Sequence, residues 1–222
     1  MPSNSSARQF WKTALPRPIV RFAWNAFSDL KDFLKRPKRQ VSPKPLRVFH
    51  NVGGGDYHTI GTRFAEKIAS KMQMHPDWSV LDIGCGTGRV AAPLIDKLGP
   101  GATYTGFDVS RRAIRWARRH VTSDQVSVQF EHVNAQSAEY NLRGKSSSAR
   151  ISFPKDDESV ELCFAVSLFT HLRASAARHY LAESARVLKP GHCLFLTAFL
   201  IDVPAQIYQV APPKLNFRPI ED

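Results

Sequence analysis

The sequence predicts an α/β protein with a doubly wound, mostly parallel sheet. From residue 79 onward, short apolar runs alternate with stretches of helical periodicity. A glycine-rich stretch follows the first apolar run, and 43% of the 222 residues are hydrophobic, enough for a buried core. Strands that alternate with helices form parallel sheets covered by helices on both faces.

The elements follow one another in a regular order. A helix is predicted from Thr59 to about Met74, where Pro76 breaks the pattern. The predicted strands are 79–83, 103–109, 126–133, 160–166 and 193–201. The predicted helices between them are 89–98, 111–120 and 174–188. The predicted connections are turns at 99–101 and 189–191 and a polar loop at 141–158.

Residues 1–50 are predicted to be a basic extension, and residues 51–222 a separate domain. The extension holds 11 Lys and Arg against 2 Asp and Glu, so it carries most of the net charge of +12. Apolar residues at helical spacing predict an amphipathic helix over 19–35, and prolines make 37–46 a linker. A nucleic-acid-binding domain usually carries its basic residues on the folded face, so nucleic acid is disfavoured as a partner.

Several roles for the extension stay open. It can form a cap over a ligand site, which we favour, or a disordered tail. Residues 19–36 are also a candidate for peripheral contact with an anionic membrane, and the start of the chain for a mitochondrial presequence. Asp29 and Asp32 disfavour the last two.

Two absences narrow the class of protein. No apolar run approaches the roughly 20 residues of a membrane span. The three cysteines lack disulfide-like or metal-like spacing, so we expect no metal site and a reducing, cytoplasmic location.

The stretch VLDIGCGTGR, residues 80–89, is the main candidate for ligand binding. Its glycines follow a strand and precede a helix, where they let the backbone turn and a ligand approach closely. Asp108 ends the next strand, and a carboxylate there can accept hydrogen bonds from ribose hydroxyls. The ligand is therefore a dinucleotide or an adenosine with a different tail.

Asp82 favours the second kind of ligand. A carboxylate two residues before the first glycine suits an amine-bearing tail and repels a pyrophosphate. The glycines at 84, 86 and 88 also lack the wider last gap of the dinucleotide fingerprint. A nicotinamide-dependent oxidoreductase is therefore the weaker alternative.

With these motifs, residues 55–202 resemble the class I S-adenosylmethionine-dependent methyltransferases. The motifs are LDIGCGTGR, GFDVS, the Asn134–Ala135 step, SLFTHL and RVLKPG, in the order of that family. The resemblance implies a Rossmann-like methyltransferase fold, S-adenosylmethionine as cofactor and methyl transfer. The cofactor-binding residues that it implies are Asp82, Gly84, Cys85, Gly86, Gly88, Asp108, Val109, Asn134, Ala135 and Ser167.

The resemblance also implies a role for each of these residues. Asp82 and the glycine loop would surround the methionine part, with Ser167 facing its tail. Asp108 would hold the ribose, and Val109 would line the adenine pocket. Asn134 and Ala135 would bind the adenine edge; Asn134 stands where the family commonly has Asp, and its amide oxygen can still accept a hydrogen bond.

The acceptor is predicted to be a small molecule. Transfer from a sulfonium needs positioning and exclusion of water more than acid–base groups, so the catalytic residue stays unknown. His171 is a weak candidate base, and we favour a structural role for it. The strand 160–166 is not followed by the proline motif that methylates base amines, and Cys163 and Cys193 are interpreted as core residues.

Charge on one predicted helix and the length of the chain after the fifth strand also bear on function. The helix 111–120 carries five arginines, which we interpret as a solvated outer face rather than a nucleic-acid-binding stripe. The family fold continues past its fifth strand, whereas only 21 residues follow Ile201 here, so the resemblance predicts an incomplete domain. Its open fifth-strand edge would be a candidate for dimerisation. An inactive S-adenosylmethionine-binding module with an interaction role is the main alternative function.

Overall fold

The computed structural model describes residues 57–135, residue 147 and residues 150–198. The predicted helix at 19–35 and the linker at 37–46 lie outside the described residues, as does the segment beyond residue 198.

A five-stranded parallel sheet forms the centre of the domain, with strand order β3-β2-β1-β4-β5. The strands are β1 (Ser79–Ile83), β2 (Thr103–Asp108), β3 (Ser127–His132), β4 (Val160–Ala165) and β5 (Leu188–Leu196). The helices are α1 (Tyr57–Lys71), α2 (Ala91–Ile95), α3 (Arg111–His120) and α4 (Ala174–Val187), with a 3₁₀ turn at Phe169–His171. The predicted doubly wound sheet is confirmed. The order reverses between β1 and β4, where ligands bind in such folds.

Apolar side chains alternate between the two faces of the sheet because successive strand residues point to opposite sides. Val80 belongs to the core under α1, α2 and α3, which includes Ile68 and Ile114. Leu81 belongs to the core under α4, which includes Tyr180. Both faces of the sheet are therefore covered, as the near-continuous apolar strands predict.

Several helix bounds differ from the sequence expectation for local reasons. Helix α1 ends at Lys71, and Gln73 adopts a positive φ of 49°. Helix α2 is shorter than the predicted 89–98 because Lys97 and Leu98 donate to carbonyls three residues back, which tightens the last turn. Helix α3 begins as predicted, and the Ser110 hydroxyl caps it by accepting from the Ala113 N–H.

Strand β5 begins five residues earlier than predicted. The predicted turn at 189–191 lies inside it as an irregularity, since Val160 pairs with Leu188 and Leu162 with Cys193. Gly191 has a φ of +81° there, and the Lys189 ammonium pairs with Glu161 of β4. Residues 189–191 therefore form an irregularity within β5, and the residues on either side of them stay paired with β4.

The segment predicted as a polar loop contributes to the core. Ile151 and Phe153 are buried among the side chains under α4. The Phe153 ring lies 4.9 Å from that of Phe107 and 5.3 Å from that of Tyr180, measured between centroids. Burial of these two apolar side chains outweighs the polar character of the sequence around them.

Within the described part of the chain, no helix is long and apolar enough to cross a membrane.

Candidate functional site

The glycine loop runs over the carboxyl end of β2. The N–H groups of Gly84 and Cys85 both donate to the Phe107 carbonyl, at 2.9 and 3.0 Å. Gly84, Gly86 and Gly88 have φ values of 75°, 55° and 77°, a region that favours glycine. The predicted turn between β1 and α2 is therefore confirmed.

The three glycines are required for different reasons. A Cβ on Gly88 would lie 2.9 Å from a Val121 methyl, and one on Gly84 would lie 3.2 Å from the Leu168 side chain. A Cβ on Gly86 would meet nothing within 4 Å. Gly84 and Gly88 thus permit close packing, whereas Gly86 borders open space that a ligand could enter.

Asp108 lies against this open side of the loop. Its Oδ2 accepts from the Gly86 N–H at 2.9 Å, and its Oδ1 accepts from the Ser110 N–H at 2.7 Å. Loss of hydration raises the pKa of the Asp108 carboxyl, and these two hydrogen bonds oppose that rise. Each carboxylate oxygen can accept a second hydrogen bond, so the group fits a pair of ribose hydroxyls.

Asp82 is buried beneath the loop, with 3% of its surface exposed. The Tyr104 hydroxyl donates to its Oδ2 at 2.5 Å. Burial raises the pKa of Asp82 to about 8, and the nearby Asp108 adds to the rise. The carboxyl therefore holds its proton more tightly than an exposed aspartate does, and a cation beside it would favour the ionised form. This is the environment expected for the amine-bearing part of a ligand.

Tyr57 connects the start of α1 to the glycine loop. Its hydroxyl lies 2.9 Å from Thr87 Oγ1 and donates to the Thr87 carbonyl at 3.3 Å. The Arg89 Nε donates to the Tyr57 carbonyl at 3.1 Å, and its guanidinium lies 5.5 Å from the ring centroid. Both tyrosines at the site, Tyr57 and Tyr104, escaped the sequence analysis. A tyrosine in a buried segment needs a hydrogen-bond partner, which is the signal that points to them.

The predicted adenine residues follow β2 and β3 at the same edge of the sheet. Val109 is half-buried, Asn134 is exposed and Ala135 is buried. The carboxyl ends of these parallel strands meet at one edge, so the three residues lie on the side of Asp108.

The segment after β4 lies beside the glycine loop. Ser167 is exposed, has a φ of +58° and donates its N–H to Thr197 Oγ1 at 2.7 Å. Leu168 contacts Gly84. His171 is exposed in the 3₁₀ turn, and its backbone N–H donates to the Leu168 carbonyl.

The cysteines have the environments of small hydrophobic residues. Cys85 and Cys163 are buried, and burial raises the pKa of Cys163 to about 12. Cys193 is half-buried, with its Sγ 3.4 Å from Met72 Sδ. Over residues 57–135 and 150–198, no cluster of His, Cys, Asp and Glu is placed to hold a metal ion.

Residues 80–191, about half of the chain, match the family model of the methyltransferase domain. The chain is 29% identical over 143 residues to the methyltransferase GfsG of Streptomyces halstedii, covering 64% of this chain and 45% of that protein. It is 28% identical over 171 residues to the nocamycin O-methyltransferase of Saccharothrix syringae, covering 73% and 50%. The chain thus spans about half the length of these curated relatives.

A solved S-adenosylmethionine-dependent methyltransferase from Aquifex aeolicus shares the fold. It superposes with a TM-score of 0.50 at 20% identity, covering 71% of this chain and 72% of that one. The sheet is therefore the Rossmann-like sheet of class I methyltransferases, as the motifs predict.

Proposed function

Since the chain belongs to the methyltransferase-domain family, we propose that it transfers a methyl group to a small-molecule acceptor. S-adenosylmethionine is the methyl donor of this family. The single observation that carries the proposal is the arrangement at the carboxyl end of β1 and β2. There an open glycine loop lies between a buried carboxyl, Asp82, and a hydrogen-bonded one, Asp108. The O-methyltransferase among the relatives supports an oxygen acceptor.

We assign the adenosine part of the cofactor to the β2–β3 side of the loop. Asp108 has one acceptor position left on each oxygen for the ribose hydroxyls. Val109, Asn134 and Ala135 would border the adenine, because they follow β2 and β3 at the same sheet edge.

We assign the methionine part to Asp82, the backbone of residues 84–88 and Ser167. The ammonium of that part would favour the ionised form of Asp82, directly or through a water, and so offset the effect of burial. Tyr104 holds the Asp82 carboxyl in place, and Tyr57 holds the loop through Thr87.

Bound S-adenosylmethionine supplies a methyl group on a sulfonium whose leaving group needs no further activation. The protein then has to orient the acceptor and exclude water. His171 stays a candidate for removing a proton from the acceptor, since it is exposed near the loop segment that contacts Gly84.

We propose that residues 1–50 are an extension outside the domain of residues 51–222 and that this extension caps the site. Contact of residues 19–36 with a membrane is tested by flotation with anionic vesicles, and dimerisation through the β5 edge by sedimentation. The three free cysteines support a cytoplasmic location.

Calorimetry of the full chain with S-adenosylhomocysteine tests the cofactor site. In Asp108→Ala we expect at least about 30-fold weaker binding, because two charged hydrogen bonds to the ribose are lost. Asp124→Ala makes the same charge change at an exposed residue and should bind like the wild type. Equal affinity in Asp108→Ala and the wild type would contradict the assignment.

Two further measurements separate the alternatives. Tighter binding of NAD than of S-adenosylhomocysteine would favour the oxidoreductase. Release of S-adenosylhomocysteine from S-adenosylmethionine, measured with hydroxylated small molecules, tests methyl transfer. Cofactor binding without turnover on any acceptor would favour the inactive binding module.

A further inference from the structure

A groove of about 400 Å³ lies between α3 and the end of β3. The residues that line it are Arg111, Ile114, Arg115, Arg118, Arg119 and His132. At 100° per helical residue, the four arginines fall within about 100° of the α3 circumference. The buried Ile114 forms the floor of the groove. The arginines line this concavity with their side chains exposed to solvent, as the sequence analysis expects of this helix face.

The guanidinium groups of this groove have few partners. Among the described residues, no salt bridge involves Arg111, Arg115 or Arg119. Arg118 donates through Nε to the Phe130 carbonyl at 2.7 Å, which leaves its two terminal nitrogens out of that bond. Four like charges in one groove repel one another, and a bound polyanion would relieve this repulsion.

Acidic groups near the groove do not neutralise it. Helix α3 contains no Asp or Glu, and Asp124 lies beyond its end. Glu131 precedes His132 on β3, and strand alternation directs it to the opposite face. Asp108 is paired in register with His132 and interacts with it electrostatically, so it sets one negative charge against the four arginines. Its hydrogen bonds from the N–H groups of Gly86 and Ser110 leave that charge in place.

We propose that this groove binds a small ligand that carries two or more linked phosphate groups. Guanidinium groups bind phosphate oxygens through paired hydrogen bonds. Four arginines supply more charge and more donors than one phosphate group can use. The volume of the groove is typical of small-molecule sites, and its concave shape does not suit a flat membrane surface.

Calorimetry of the full chain with inorganic pyrophosphate tests the proposal. The buffer contains about 150 mM NaCl, so that contacts between distant exposed charges are screened. In Arg115→Gln/Arg119→Gln we expect at least about tenfold weaker binding, because two charge-assisted pairs are lost. Arg118 is left intact in this variant, since it also contacts β3.

The matched control is Lys35→Gln/Arg36→Gln, which removes the same charge from the basic extension. It should bind pyrophosphate within about twofold of the wild type if the groove is the site. The α3 double variant should melt within about 2 °C of the wild type, because Arg115 and Arg119 are exposed. If the α3 double variant does not fold, Arg115→Lys replaces it. Lysine keeps the positive charge but lacks the paired N–H donors of a guanidinium, so we expect about threefold weaker pyrophosphate binding.

Four results would overturn the proposal. One is absence of pyrophosphate binding at millimolar concentration, and another is an equal loss in the control variant. A third is orthophosphate binding as tightly as pyrophosphate, which would leave no role for linked phosphates. The fourth is binding to vesicles of phosphatidylglycerol and phosphatidylcholine that depends on Arg115 and Arg119 without any pyrophosphate binding, which would make the groove part of a membrane contact.

Discussion

Two groups of arginines on the helices of this domain differ in what they contact. Arg186 on α4 donates through Nε and one terminal nitrogen to both Glu183 oxygens, at 2.8 Å each. Its other terminal nitrogen donates to Asp157 at 2.7 Å and to the Lys155 carbonyl at 3.0 Å. The arginines of the α3 groove, by contrast, include three with no salt bridge among the described residues.

The acceptors around an arginine, rather than its position on a helix, indicate its role. The Glu183 carboxylate also accepts from the Phe153 N–H at 2.7 Å, so the network holds the segment before β4 against α4. Every polar group of Arg186 is thus used inside the fold. Most guanidinium donors of the groove arginines have no such partner among the described residues, so they are available to a ligand.

Loss of Arg186 should have the largest effect on stability. Arg186→Met leaves Glu183, whose side chain is only 14% exposed, without its cation, and should lower the free energy of unfolding by about 2–3 kcal/mol. Arg115→Met, the matched change in the α3 groove, should stay within about 0.5 kcal/mol of the wild type. Urea denaturation measures both. Equal losses in the two variants would remove the distinction between the two groups.

The same network predicts a dependence of stability on acid. The hydrogen bond from Arg186 is the main reason that the pKa of Glu183 falls to about 2, from an ordinary 4.5. A lowered folded-state pKa stabilises the fold above pH 4.5, and this contribution is lost as the pH falls from 4.5 towards 2. Allowing for screening by solvent, we expect about 1–2 kcal/mol.

Urea denaturation at pH 6 and pH 3 checks this dependence. The wild type should lose more stability between the two pH values than Glu183→Gln, which has no carboxyl to titrate at this position. An equal loss in the two proteins would show that Glu183 titrates normally in the folded state.

The sequence predicted the sheet and the cofactor loop because both depend on local patterns. Apolar runs define the strands, and the glycines at 84, 86 and 88 adopt the positive φ values that their spacing suggests. Asp82 belongs to the glycine motif itself, and Asp108 follows from its position at the end of the next strand. The assignment of ligand groups to these residues stays a prediction.

The features that the sequence did not predict depend on contacts between distant segments. The Tyr104 hydroxyl on β2 donates to Asp82 on the neighbouring strand β1. The Tyr57 hydroxyl contacts Thr87, which lies 30 residues away in the sequence. Phe153 is buried because α4 covers it, although its neighbours in sequence are polar. Helical spacing placed the arginines on one side of α3, but the groove exists only because β3 packs beside that helix.

Arg118 combines features of the two groups of arginines, and its loss should give the smallest measurable change in stability. It belongs to the groove, yet its Nε donates to the Phe130 carbonyl as a structural arginine would. Arg118→Met removes one hydrogen bond from a side chain that is otherwise exposed, so we expect a loss of about 0.5–1 kcal/mol in urea denaturation. A loss as large as that of Arg186→Met would mean that Arg118 anchors β3, and that only the other three arginines are available to a ligand.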